Sequence, residues 1–199
     1  MPSEIWLVRH GETEWSRSGQ HTSRTDLPLT PEGERQAASL KRMLAGQSFP
    51  LVLSSPMKRA VDTCRLVGLT PDLSHDLVEW DYGDYEGRRT TEILQERPRW
   101  QLFIDGCPGG ESPADVGARA DRVIDRIRTA DGDVLLFSSA HFLRVLGARW
   151  LGLPPGGGRH FMLATASLSA LGYEHDAEEP VIRFWNDTRH VDNDGRTMP

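Results

Sequence analysis

Lysine is nearly missing from this chain: of its 23 basic residues only Lys41 and Lys58 are lysine, and the rest are arginine. An anion site built here must use planar guanidinium forks that hold two oxygens at once, not compact point charges. Cysteine is as scarce. Cys64 and Cys107 are too few for a disulfide framework and lack metal-ligand spacing, so both are expected as small buried or half-buried residues in a reducing cytosol. Long apolar runs are absent: none nears the roughly 18 residues of a membrane helix, and those present, such as 134–137, are strand-sized. The first residues show no leader pattern, because Glu4 and Arg9 bracket the short apolar Ile5-Trp6-Leu7-Val8. Secretion and membrane insertion are therefore expected to be out, and the location cytoplasmic. Positive charge is not in excess either. A net charge of −6 argues against a nucleic-acid surface, which needs a basic stripe.

What is present fits one domain spanning 1–199. The chain has 199 residues, 38% of them hydrophobic, enough for a single packed interior, with no internal repeat and no dividing linker. Strand-like and helix-like segments alternate. Residues 5–8, 51–53 and 133–138 are apolar on both faces, as parallel strands covered by helices are. Residues 166–173 and 181–185 alternate more, and are expected as a pair of edge strands joined by the acidic turn 174–180. Thr30-Pro31-Glu32 predicts a capped helix with Ala37, Leu40 and Leu44 on its inner face, and Ser55-Pro56 predicts another that begins in the same way. Val116, Ala120, Val123, Ile124 and Ile127 form the clearest amphipathic stripe, and 142–151 a shorter apolar helix closed by Gly152. The expected architecture is a three-layer α/β/α sandwich around a mostly parallel sheet. Ligands in such folds sit beyond the carboxyl ends of the strands.

Three strand ends carry unusual polar residues. The first runs into Arg9-His10-Gly11-Glu12-Thr13, the second into Ser54-Ser55 and a helix whose first turn holds Lys58 and Arg59, and the third into Ser138-Ser139-Ala140-His141. If these strands are neighbours, the three ends meet at one anion-sized spot, to which a helix starting at Pro56 would offer free N–H groups. The six tryptophans are expected mostly in the core, with Trp15 and Trp80 placed to shape the pocket. His75, His160, His175 and His190 are expected as surface or satisfied polar residues, and the triple glycine in 154–159 as a flexible connector.

The segment Leu7-Val8-Arg9-His10-Gly11-Glu12-Thr13-Glu14-Trp15 resembles the signature of the histidine phosphatase superfamily, in its phosphoglycerate mutase-like branch. The likeness continues in Arg24-Thr25-Asp26-Leu27-Pro28-Leu29-Thr30-Pro31-Glu32-Gly33, in Ser54-Ser55-Pro56-Met57-Lys58-Arg59-Ala60 with Thr63, in Glu79-Trp80-Asp81-Tyr82-Gly83-Asp84-Tyr85-Glu86-Gly87, and in Gly109-Gly110-Glu111-Ser112. The resemblance implies a phosphoglycerate mutase-like fold and a metal-independent phosphatase with no cofactor. It implies His10 as the nucleophile that becomes a phosphohistidine, Arg9 and Arg59 as the phosphate clamp, and Glu79 as the acid that protonates the leaving oxygen. Thr22 and Ser23, with Ser16 and His21, would line the substrate side. Physical chemistry agrees with these roles. A neutral imidazole offers a lone pair, two Arg forks suit phosphoryl oxygens, and a carboxyl beside a bound dianion tends to keep its proton. Asp81, Asp84 and Glu86 are expected in a solvated acidic loop.

One departure stands out. The superfamily usually places a second catalytic His, followed by Gly, five residues before a basic position; counting back from Arg144 gives Ser139, followed by Ala140. Three readings stay open: a phosphatase lacking one donor, at a typical cost of roughly 10²–10³ in rate; a weakened or diverged anion-binding protein; or a residue altered deliberately. His141 has two readings, local contacts at a helix start or a place in the pocket beside Ala140. The expected activity is hydrolysis of a small phosphorylated metabolite, with a phosphomutase as the alternative. The chain is short for the glycolytic mutases. Oligomeric state is left open between monomer and homodimer, and the acidic tail between an interface edge and a solvated segment.

Overall fold

Alternation within the apolar strands decides the layering. In the computed structural model, which describes residues 4–192, Ile5 and Leu7 join one buried cluster while Trp6 and Val8 join another. The same split separates Val134 and Leu136 from Leu135 and Phe137, so each strand is covered on both faces. The strands are β1 (Glu4–Arg9), β2 (Leu51–Ser54), β3 (Asp72–Leu73), β4 (Val134–Ser138), β5 (Leu168–Tyr173) and β6 (Pro180–Asp187), in the sheet order β3-β2-β4-β1-β5-β6. The β3-β2-β4-β1 portion is parallel and β5 and β6 are antiparallel. The helices are α1 (Glu14–Ser18), α2 (Pro31–Leu44), α3 (Lys58–Leu66), α4 (Thr90–Glu96), α5 (Leu102–Asp105), α6 (Pro113–Arg128), α7 (Ala140–Trp150) and α8 (Arg189–Asp192). Helices α6 and α7 supply one cluster, and α2 and α3 the other. The result is the expected three-layer sandwich. Register brings Arg9 opposite Ser138, and Ser54 opposite Phe137, so the carboxyl ends of β1, β4 and β2 are level.

Several expectations are corrected. Only β6 is an edge strand of the antiparallel pair; β5 lies between β1 and β6, and buries all but its last residue. Strand β3, two exposed residues long, has no sequence pattern to announce it. Helix α3 starts at Lys58 with Met57 as its uncapped N-cap, not at Pro56, since Ser55 turns its hydroxyl to the Met57 N–H at 3.4 Å. The free N–H expected there is also taken: Lys58 N donates to Asp26 Oδ1 at 2.7 Å. Residues 155–160 form a 3-10 turn packed on α7, with Gly158 buried where a Cβ would stand 2.9 Å from the Arg144 carbonyl oxygen. They are not a loose connector. Cys64 and Cys107 are free and buried, on opposite faces of the sheet, and burial pushes both thiols up to about 12. Among the described residues no helix is long and apolar enough to cross a membrane. His75, His160 and His175 are exposed, and buried His190 shares a hydrogen with the Ala166 carbonyl at 2.9 Å. The end of the acidic tail, 193–199, lies outside the described residues.

Candidate active site

The loop leaving β1 sets the first side chain. His10 N donates to the Ser138 carbonyl at 3.0 Å, and Ala166 N donates to the His10 carbonyl at 3.0 Å, so the residue is pinned between two neighbouring strand ends. Gly11 follows because nothing larger fits: a Cβ there would lie 2.3 Å from the Gly33 carbonyl oxygen at the start of α2. Its N–H donates to Thr63 Oγ1 of α3 at 3.0 Å. The His10 ring is 5% exposed, with Nδ1 2.7 Å from the Gly11 carbonyl oxygen. A carbonyl only accepts, so Nδ1 carries the hydrogen and Nε2 keeps its lone pair. Burial first, then the charges of Arg59 and Arg9, hold the His10 pKa well below the ordinary histidine value. The ring is neutral and sits in a positive field.

Arg59, fully buried on α3, spends its fork on the chain ahead of it: Nη1 donates to the Thr25 carbonyl at 3.1 Å and Nη2 to Ser23 at 3.0 Å. Arg9 donates to the Leu163 carbonyl. Burial lowers both guanidinium pKa values, and the Glu79 charge opposes it. The Nε of each arginine and the Oγ of Ser139 are buried with no hydrogen-bond partner among the described residues. Both arginines are near enough to His10 for their charges to act on its ring, and buried donors left unsatisfied there are costly unless an anion completes them. Glu79 is 4% exposed and accepts three backbone N–H bonds, from Trp80 at 2.9 Å, Phe142 at 2.8 Å and His141 at 3.0 Å. The last two are the opening N–H groups of α7. The carboxylate thereby caps the helix in place of Ser139, whose side chain makes no cap bond.

These groups surround a cavity of about 220 Å³ lined by Arg9, His10, Ser16, His21, Thr22, Glu79, Ala140 and His141, with Thr13, Trp15, Gln20, Tyr82 and Thr90. Ser23, Arg59 and Ser139 do not line it. Each is less than 5% exposed, and Arg59 is held by the Ser23 and Thr25 carbonyls. Burial pushes the His21 pKa down to about 4 against the raising charge of Glu86, so that ring too is neutral. Among the described residues no three His, Cys, Asp or Glu side chains converge as a metal site would require.

A profile of the histidine phosphatase superfamily (branch 1) matches residues 5–188. The chain belongs to this superfamily. An acid phosphatase of Mycobacterium tuberculosis is 40% identical over 183 residues, 89% of this chain and 90% of that one. A solved structure, of an open reading frame product from Mycobacterium tuberculosis, matches with a TM-score of 0.89 at 38% identity, covering 94% of this chain and 98% of that one. A phosphoserine phosphatase from Entamoeba histolytica, solved in complex with 3-phosphoglyceric acid, matches at TM-score 0.80 and 26% identity, covering 94% and 98%. By class, therefore, the chain is a hydrolase acting on phosphate esters.

Three residues at this histidine phosphatase site escaped the sequence. Glu86 is not solvated: half-buried, it accepts from Ser23 N at 2.9 Å, Ser23 Oγ at 2.6 Å and Thr25 N at 3.0 Å, tying down the segment that Arg59 holds from below. Burial acts to raise its pKa, but the Ser23 and Thr25 hydrogen bonds outweigh that and leave it lowered. Asp81 pairs with Arg24 and accepts from Gly83 N, and only Asp84 fits the expected exposed acid. Tyr82 and Thr90 also went unread. Tyr82 stands within the acidic stretch 79–87 with nothing to mark its side chain, and Thr90 opens the unannounced helix α4. Trp15 does border the cavity, whereas Trp80 is fully buried core.

Proposed function

We propose that this histidine phosphatase is a cytoplasmic phosphomonoesterase, acting as one domain over 1–199, that hydrolyses a small phosphorylated metabolite through a phosphohistidine on His10. The observation that carries the reading is the His10 ring itself. It is buried, neutral and hydrogen-bonded at Nδ1, with Nε2 left as a nucleophile among arginine nitrogens that lack partners. Nε2 attacks phosphorus as the bond to the ester oxygen breaks, with the charge on the transferring group met by Arg9 and Arg59. Glu79 is the carboxyl placed to give the leaving oxygen its proton. A water then attacks the phosphohistidine, giving a proton to Glu79 as the P–Nε2 bond breaks and its electron pair goes back to the His10 ring, and inorganic phosphate leaves. Ser16, His21 and Thr22 face the alcohol side, with Ala140 and His141 opposite.

The test is hydrolysis of an activated aryl phosphate with a chelator present, comparing the protein with His10→Ala and probing for an acid-labile phosphoryl label. Expected is turnover and a label in the parent protein and neither in the variant. Turnover that survives His10→Ala overturns the phosphohistidine route. Inactivity of the parent, with inorganic phosphate still raising its melting temperature, replaces catalysis by anion binding.

A further inference from the structure

His141 lines the cavity and its Nδ1 lies 2.6 Å from the phenol oxygen of Tyr82, a contact in which either group could hold the hydrogen. The surroundings decide which one does. Tyr82 is 2% exposed, and burial first, then the Glu79 charge, hold its phenol well above the ordinary value, so the O–H stays on. The His141 ring is driven the other way, by burial, Arg144, His21 and Arg9, and is neutral. A buried neutral phenol has one hydrogen to place, and an imidazole nitrogen with a lone pair is the acceptor beside it. Tyr82 therefore donates to Nδ1, and the ring's own hydrogen sits on Nε2. The ring is also held firmly in place. Its backbone N–H is tied to Glu79, and Phe103 and Tyr82 stand edge-on to it at centroid distances of 5.4 and 5.9 Å.

We propose that His141 is a further catalytic residue: its Nε2–H, fixed in that tautomer by Tyr82, donates to the phosphoryl oxygens while the group passes to and from His10. Tyr82 is then a positioning residue. The inference rests on the phosphatase reading above. It gives the site a neutral imidazole donor that Ser139, buried, short and outside the cavity lining, does not provide. A donor aimed at charge that develops only in the transition state raises kcat without tightening substrate binding.

Steady-state kinetics on the aryl phosphate, with inhibition by vanadate and by inorganic phosphate, test it in His141→Phe, His141→Gln and Tyr82→Phe, each checked for an intact fold by its melting curve. His141→Phe, which keeps a ring but no N–H, is expected to lower kcat by about 10²–10³ with KM little changed. It also weakens vanadate, which mimics the five-coordinate state, more than phosphate. His141→Gln restores part of the loss through its amide N–H. Tyr82→Phe lowers kcat by about 2- to 10-fold, the net worth of one hydrogen bond. A folded His141→Phe with parental kcat, or equal losses of vanadate and phosphate affinity, overturns the inference while leaving the phosphatase reading intact. A parent protein that turns over no phosphate ester overturns both.

Discussion

Glu86 does not line the cavity, yet it holds the segment beside Thr22, which does. One carboxylate receives two backbone N–H groups and a hydroxyl from the 23–25 segment, whose carbonyls in turn receive Arg59. Replacing it by Ala strands those donors in a half-closed site. The expected cost is about 1–3 kcal/mol of unfolding free energy, with a raised KM because Thr22, next to the freed segment, loses its backing; denaturant unfolding and initial-rate kinetics read the two effects. That role could not be seen in the chain. Asp81, Asp84 and Glu86 stand within one short acidic stretch, and only their three-dimensional neighbours separate an ion-paired, an exposed and a loop-binding carboxylate. His10 and Arg9 were legible for the opposite reason. Their chemistry sits on a strand end whose apolar pattern places it, and Gly11 and Gly33 mark where α2 packs against that loop.

At the scale of elements, α7 depends on a residue far from it in sequence. Its first N–H groups are held by Glu79, so Glu79→Ala is expected to remove about 2 kcal/mol of stability as well as activity. A melt of the variant separates this from a purely chemical role, which would leave the transition unmoved. In β4, Leu136 is fully buried between β1 and β2, and Leu136→Ala should cost about 2–5 kcal/mol by denaturant titration. Elements with strong local signals were readable: α2 has Thr30 accepting from Gly33 N at 3.0 Å and Pro31 at its first turn. The same Ser-Pro pattern misled at α3, where Ser55 closes a turn of its own and the helix begins later. Helices α4 and α5, of 7 and 4 residues, and strand β3, of 2, are too short to carry a period.

For the molecule as a whole, three histidines around one cavity, His10 and His21 buried and His141 half-buried, are neutral, and each has its pKa lowered first by desolvation. The unfolded chain therefore binds protons that the folded one refuses. Stability is full above the ordinary histidine value and falls as pH drops below about 6.5. For His21 the loss runs down to about 4 and amounts to about 3 kcal/mol. Unfolding curves at pH 7, 5 and 4 should fall steeply for the parent and less so for His21→Gln. The sheet order has a consequence of another kind, for the chain as it leaves the ribosome. The first strand made, β1, occupies an interior place whose two neighbours are β4, meeting it at Ile5↔Val134, and β5, meeting it at Glu4↔Gly172. Until most of the polypeptide has emerged, Ile5-Trp6-Leu7-Val8 has nothing to pair with. The apolar segment that leads into Arg9 and His10 is thus made before the other five strands and is among the last to be sheltered, the interval in which a chaperone would find it.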